Sequence, residues 1–144
     1  MYCIFSIIKY NLYKLIASSD VIRRIFIILG MSKKTILIDL DGVLNEYNGN
    51  FKIDHIPKPR KDTEKFLQEI NKNFEITIFT TRNVYLTTKW LIENSLDKYV
   101  SDVTNIKKPC FLYIDDRAIC HKGNYEKTLE KIKNFNVYWK DYKN

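Results

Sequence analysis

The sequence predicts an α/β domain built on a doubly wound parallel sheet of about five strands, with helices on both faces and an N-terminal helical extension. Three observations carry that expectation. Short β-branched runs alternate with segments of helical period, the runs are continuously apolar as doubly covered strands require, and polar clusters follow several of them directly. A chain of 144 residues with 45% hydrophobic content is long enough for one such domain and its core.

The first strand is "TILIDL" from Thr35, and "NEYNGNFKIDHIPKPR" after it reads as a loop, with turn residues at Asn48, Gly49, Pro57 and Pro59. "NGN" within it is suited to capping a small hairpin. A helix is expected from Asp62, taken as its N-cap, with Phe66, Leu67, Ile70 and Phe74 on one face. "EITIFTTR" is the second strand. A second helix over about Tyr85 to Asn94 turns Leu86, Trp90 and Leu91 inward. "YVSDV" is a short third strand and "CFLYIDD" a fourth. Tyr125, Leu129, Ile132 and Phe135 mark a last helix, and "NVYW", with Trp139 on a core face, a fifth strand.

Residues 1–30 differ from residues 31–144. They are apolar with few acids and carry a net charge of +3 of the chain's +7, and a second methionine, Met31, follows them. No uninterrupted apolar run reaches the roughly 18 residues of a membrane span, and the charge order and cleavage site of a signal peptide are missing. The segment reads as an appendage that is not part of the α/β fold. An interfacial membrane contact and an upstream extension before a true start at Met31 are its other readings. Cys3, Cys110 and Cys120 are odd in number with no CxxC spacing, against both a disulfide framework and a zinc site, which suits a reducing cytoplasm. The net positive charge is dispersed and compatible with an anionic substrate.

Ligands of doubly wound sheets bind beyond the carboxyl ends of the strands. Asp39 and Asp41, Thr80 and Thr81, and Asp115 and Asp116 all fall at such ends, so three polar clusters should share one rim. Four carboxylates gathered there need a cation to stay ionised, and hard oxygen ligands select Mg²⁺, which leaves open positions for phosphate oxygens. Arg82, Lys107 and Lys108 would meet the remaining phosphate charge. His55 and His121 are poorly placed for a metal and read as surface or packing residues.

The strings "DLDGV", "IFTTR", "KKP" and "YIDD", in that order, resemble the four motifs of the haloacid dehalogenase superfamily of aspartate-nucleophile phosphatases, across roughly residues 33–140. An EF-hand, the other reading of D-x-D-G, lacks its further ligands and closing Glu here. The resemblance implies a Rossmann-like fold and a Mg²⁺-dependent phosphomonoesterase. In it Asp39 is the nucleophile, and Asp41 the general acid and base with its backbone carbonyl on the metal. Thr80 is a phosphoryl hydrogen-bond partner, and Lys108, or its rival Lys107, the neutralising lysine. It also implies Asp116 as metal ligand, Asp115 as a second ligand or its partner, and Thr81, Arg82 and Gly42 close to the phosphate.

The 39 positions from Asp41 to Thr80 and the 28 from Thr80 to Lys108 leave no room for an inserted cap domain. The capless groups it resembles most are polynucleotide 3′-phosphatase domains and small capsule- or lipopolysaccharide-associated phosphatases. They imply a nucleic-acid 3′-phosphate, a nucleotide or a sugar phosphate as substrate. No GxxxxGK[ST] string marks an attached kinase. The competing expectation, from a different class, is a non-catalytic domain that keeps the rim only to hold Mg²⁺ or phosphate.

Overall fold

Strand β1 (Lys34–Asp39) is an interior strand of the sheet, with Ile36, Leu37 and Ile38 buried on its two faces. A computed structural model describes residues 33–143, with side chains through residue 140. The expectations for residues 1–30 lie outside the described residues. From Lys34 onward the chain forms one compact unit. Among the described residues, no helix is long and apolar enough to cross a membrane.

β2 (Phe74–Phe79) and β4 (Leu112–Ile114) flank β1, and β3 (Asp102–Thr104) borders β2, giving a four-stranded parallel sheet in the order β3-β2-β1-β4. The register sets Asp39 beside Phe79, Phe79 beside Thr104 and Ile38 beside Ile114, so the carboxyl ends of all four strands form one rim. The chain moves outward from β1 to β3 and then returns to the far side of β1. The winding therefore reverses between β1 and β4, which is where open α/β sheets leave a crevice.

Helices α1 (Thr63–Asn73) and α2 (Val84–Glu93) send Leu67, Trp90 and Leu91 into one cluster with Ile36, Ile38, Ile76 and Ile78, and so share one face of the sheet. Asp62 does not cap α1. It sits in the left-handed region at φ 65° and its side chain makes no capping bond. The helix start is instead pinned by tertiary contact, the buried Thr63 hydroxyl donating to the Leu44 carbonyl at 2.9 Å. Asn83 does cap α2, accepting from the Leu86 amide at 3.1 Å, and the Trp90 indole donates to the Pro57 carbonyl at 2.9 Å.

Two further expectations are corrected. "NVYW" is not a fifth strand: a 3₁₀ turn runs over Tyr138–Lys143, and Val137 and Trp139 pack with Tyr47 in a small second core. The Tyr138 hydroxyl donates to the Gly42 carbonyl and the Trp139 indole to Asp116, so these aromatic residues buttress a loop instead of extending the sheet. Helix α3 (Tyr125–Lys133) forms as the period predicts, yet none of its residues is buried, and Leu129 and Ile132 are 57% and 55% exposed. No hairpin forms at "NGN"; the nearest bridge pairs Lys52 with His55.

The connection from β3 to β4, residues 105–111, carries no helix. It returns to the amino end of the sheet, where the Phe111 amide donates to Thr35 and its ring stacks on Phe74 at 5.7 Å. β4 then climbs to deliver Asp115 and Asp116 to the rim.

Candidate functional site

An apolar strand that must enter the core cannot hold a carboxylate until its last residue, and β1 places Asp39 there. The chain then folds back sharply, with the Leu44 and Asn45 amides both donating to the Leu40 carbonyl at 3.0 and 3.2 Å. Asn45, fully buried, organises that turn. Its Oδ1 accepts from the Gly42 and Tyr47 amides, each at 3.1 Å, and its Nδ2 donates to Asp41 Oδ1 at 2.8 Å.

Gly42 has φ +88°, and a Cβ added to it would lie 2.5 Å from Asp116 Oδ2 and 2.7 Å from Trp139 Nε1. The glycine is therefore needed for the close approach of Asp116. Its amide donates to Asn45 Oδ1, so what the structure assigns to Gly42 is the turn itself and the close packing of Asp116. Gly42→Ala is expected to cost about 2 kcal/mol or more through the left-handed backbone and the clash together. Urea denaturation measures the loss.

Asp39, Asp115 and Asp116 each bring a carboxylate oxygen to within 4.8 Å of the others. Burial, then the neighbouring Asp115, push the Asp39 carboxyl from 3.8 up to about 7, with Asp116 and Asp41 adding to the rise and a hydrogen bond from the Leu40 amide opposing it. At neutral pH such a group is held by a proton or by a cation. Asp116 Oδ2 accepts the Trp139 indole, whereas its Oδ1 is buried without a hydrogen-bond partner. A carboxylate oxygen so placed beside two more carboxylates suits a hard divalent cation, and Mg²⁺ fits this donor set.

The Asp41 side chain stands outside that cluster. Its Oδ2 accepts from Arg82 Nε at 2.7 Å and its Oδ1 from Asn45, so both oxygens are already acceptors. Arg82, expected at the phosphate, is a buried tie: its Nη1 donates to the carbonyls of Lys52 at 2.8 Å and His55 at 3.1 Å, and its guanidinium stacks 4.5 Å from the Phe51 ring centroid. It is not a wall of the cavity at the rim.

That cavity, about 220 Å³, is floored by Asp39, Asp41 and Asp115. Thr80 and Thr81 close one side, as expected, and Thr80 Oγ1 accepts the Arg82 amide at 3.2 Å, which leaves the hydroxyl proton to donate elsewhere. Tyr47, Phe51, Phe79 and Arg117 complete it. Neither expected lysine reaches it: Lys108 pairs with Asp102 at 2.6 Å, and Lys107 lies 5.1 Å over the Tyr113 ring. The helix-free connection explains this, because its lysines follow the edge strand down the sheet. The cation on the cavity wall is Arg117, on the residue next to the final acid pair.

His55 contributes only its backbone carbonyl, and His121 is exposed, with its Nδ1 2.7 Å from Thr128 Oγ1. Asn45, Tyr47, Phe51, Tyr138 and Trp139 were not legible as site residues, since their contacts are made only in the folded chain. The D-x-D-G turn, which must be buttressed, was the available hint for Asn45.

No protein-family model matches the chain, and no curated protein matches it. Among solved structures, a conserved protein coded by a locus from Bacteroides thetaiotaomicron aligns with 78% of this chain and 100% of its own, at a TM-score of 0.48 and 17% identity.

Proposed function

We propose that this domain is a Mg²⁺-dependent phosphomonoesterase of the capless haloacid dehalogenase type, Rossmann-like in fold, working through an aspartyl-phosphate on Asp39. The observation that carries the reading is the convergence of Asp39, Asp115 and Asp116 from the ends of adjacent parallel strands. Phosphoryl transfer needs a nucleophile, a relief of negative charge and an in-line approach, and the rim supplies residues for each.

Asp39, Asp115 and Asp116 would hold Mg²⁺, which when bound neutralises carboxylate and phosphoryl charge and keeps Asp39 ionised. The Asp39 carboxylate attacks phosphorus, the bond from phosphorus to the ester oxygen breaks, and that oxygen leaves with the proton of Asp41. Thr80 donates its hydroxyl to a phosphoryl oxygen, and Arg117 takes the charge-balancing place that neither lysine fills. Water then attacks phosphorus, Asp41 accepts its proton, and phosphate departs with Asp39 restored as carboxylate. With both oxygens accepting, Asp41 is arranged as the base. To act as the acid toward the leaving oxygen, one of its contacts to Arg82 or Asn45 must open.

The open rim suits a phosphate on a nucleotide, a sugar or a polynucleotide end. A panel of these esters, with p-nitrophenyl phosphate as the generic substrate, is expected to show hydrolysis that requires Mg²⁺ and stops with EDTA. Measurable Mg²⁺ binding without turnover on any ester would instead support the non-catalytic reading.

A further inference from the structure

A second cavity of about 390 Å³ adjoins the first, and Tyr47 is a wall of both. The partition is the edge-on pair Tyr47 and Trp139, with ring centroids 5.4 Å apart. On one side the Trp139 indole holds Asp116; on the other, Arg60 and Lys61 line the second cavity. The Arg117 guanidinium stands 5.6 Å from the Tyr47 centroid and 5.2 Å from that of Trp139, and the Lys140 ammonium 6.0 Å from the latter. Among the described residues, none of these four cations forms a salt bridge with a carboxylate. Glu46, the acid in the second cavity's wall, lies 3.5 Å from Lys58.

Cations left without acidic partners around a cavity attract anions. The rings between them are only 8% and 7% exposed and Arg117 stands over both, so they offer little face for stacking a base. What the surface presents is charge.

We propose that the second cavity is a subsite for a second phosphate group of the same substrate, bound by Arg60 and Lys61 while the first phosphate reacts at Asp39. This rests on the phosphomonoesterase reading and narrows it to substrates with two phosphate groups. The second phosphate has two sources, the diester of a polynucleotide end or the other ester of a sugar bisphosphate.

The variant Arg60→Ala with Lys61→Ala separates them. The Arg60 amide donates to Leu44 and its carbonyl accepts from Thr63, and both bonds survive the change, while its guanidinium, 5.1 Å from the Tyr138 ring centroid, gives up one contact whose effect on the first site the p-nitrophenyl phosphate kinetics and the urea midpoint report. Kinetics are compared on p-nitrophenyl phosphate, a 3′-phosphorylated dinucleotide and a sugar bisphosphate. The first should be unchanged, while KM for a two-phosphate substrate rises about tenfold or more at constant kcat. If the dinucleotide is the substrate affected, the source is a polynucleotide end, and the difference between wild type and variant should shrink as salt is raised. If the bisphosphate is affected, the source is the small molecule. Equal losses on all three substrates, or on none, overturn the subsite. Direct titration of a fluorescent 3′-phosphorylated dinucleotide and of the bisphosphate, with calorimetric readout for the latter, covers a protein that hydrolyses nothing. Binding weakened in the double variant then upholds the subsite while the phosphatase reading falls, and binding of neither ligand weakened overturns it.

Discussion

Asp39→Asn is expected to slow phosphomonoester hydrolysis by at least about 10³-fold, because an amide cannot act as the nucleophile. The same change should make the metal-free protein more stable above neutral pH. The Asp39 carboxyl titrates at about 7 in the folded protein against an ordinary 3.8. Between those values the folded state binds more protons than the unfolded, so stability falls as pH rises from about 4 to about 7. An asparagine at 39 does not titrate and removes that fall. Urea denaturation in EDTA at pH 5 and pH 8 should show the wild type losing stability with pH, and the variant ahead by about 2 kcal/mol or more at pH 8. A residue that destabilises its own fold while being required for turnover marks a functional position. A variant no more stable than wild type at pH 8 would contradict the burial and charge crowding assigned to Asp39.

Arg82→Ala should cost about 3–5 kcal/mol, the effect of removing one partner from a buried ion pair. The Arg82 side chain is 2% exposed and that of Asp41 16%, so the carboxylate left behind has little water to replace its partner. The Lys52 and His55 carbonyls lose a donor at the same time. Hydrogen exchange around residues 52–55 should therefore quicken along with the drop in denaturation midpoint. Arg82→Lys keeps the charge but cannot reproduce a planar fork that serves a carboxylate and two carbonyls at once, and should recover only part of the loss. Because Arg82 holds Asp41 and the loop bearing Phe51 together, the variant should also lower turnover.

How far these features could be read in the sequence follows from the range of the forces involved. Strands β1 and β2 are apolar runs whose burial is written in consecutive residues, while β3 and β4 are three-residue strands placed by their pairing; Asp39, Asp115 and Asp116 were legible because a carboxylate follows an apolar stretch at each of two strand ends. The sequence "NVYW" has the same local character as a strand. Its fate was decided by the distant Gly42 carbonyl and Asp116, which hold Tyr138 and Trp139. The period of α3 was equally plain, but period alone does not say whether a partner covers the apolar side. Lys108 is favoured by its place beside Pro109, although the few residues between it and Asp115 leave no room for a helix and already set it toward the amino end of the sheet. Arg82 could be read as a phosphate clamp or as a salt-bridge residue, and only the fold brings Asp41 and the 52–55 carbonyls to it.

The most direct measurement is to trap the covalent species. In Asp41→Asn, an aryl phosphate whose leaving group needs no proton should still phosphorylate the enzyme, while hydrolysis, which needs the base, is slowed. Acid quenching, borohydride reduction and peptide mass spectrometry should then find residue 39 converted to homoserine in near-stoichiometric yield, and unmodified when Mg²⁺ is withheld. Phosphate release without any label at residue 39, or a label on a different residue, would contradict the assignment of Asp39 as the nucleophile.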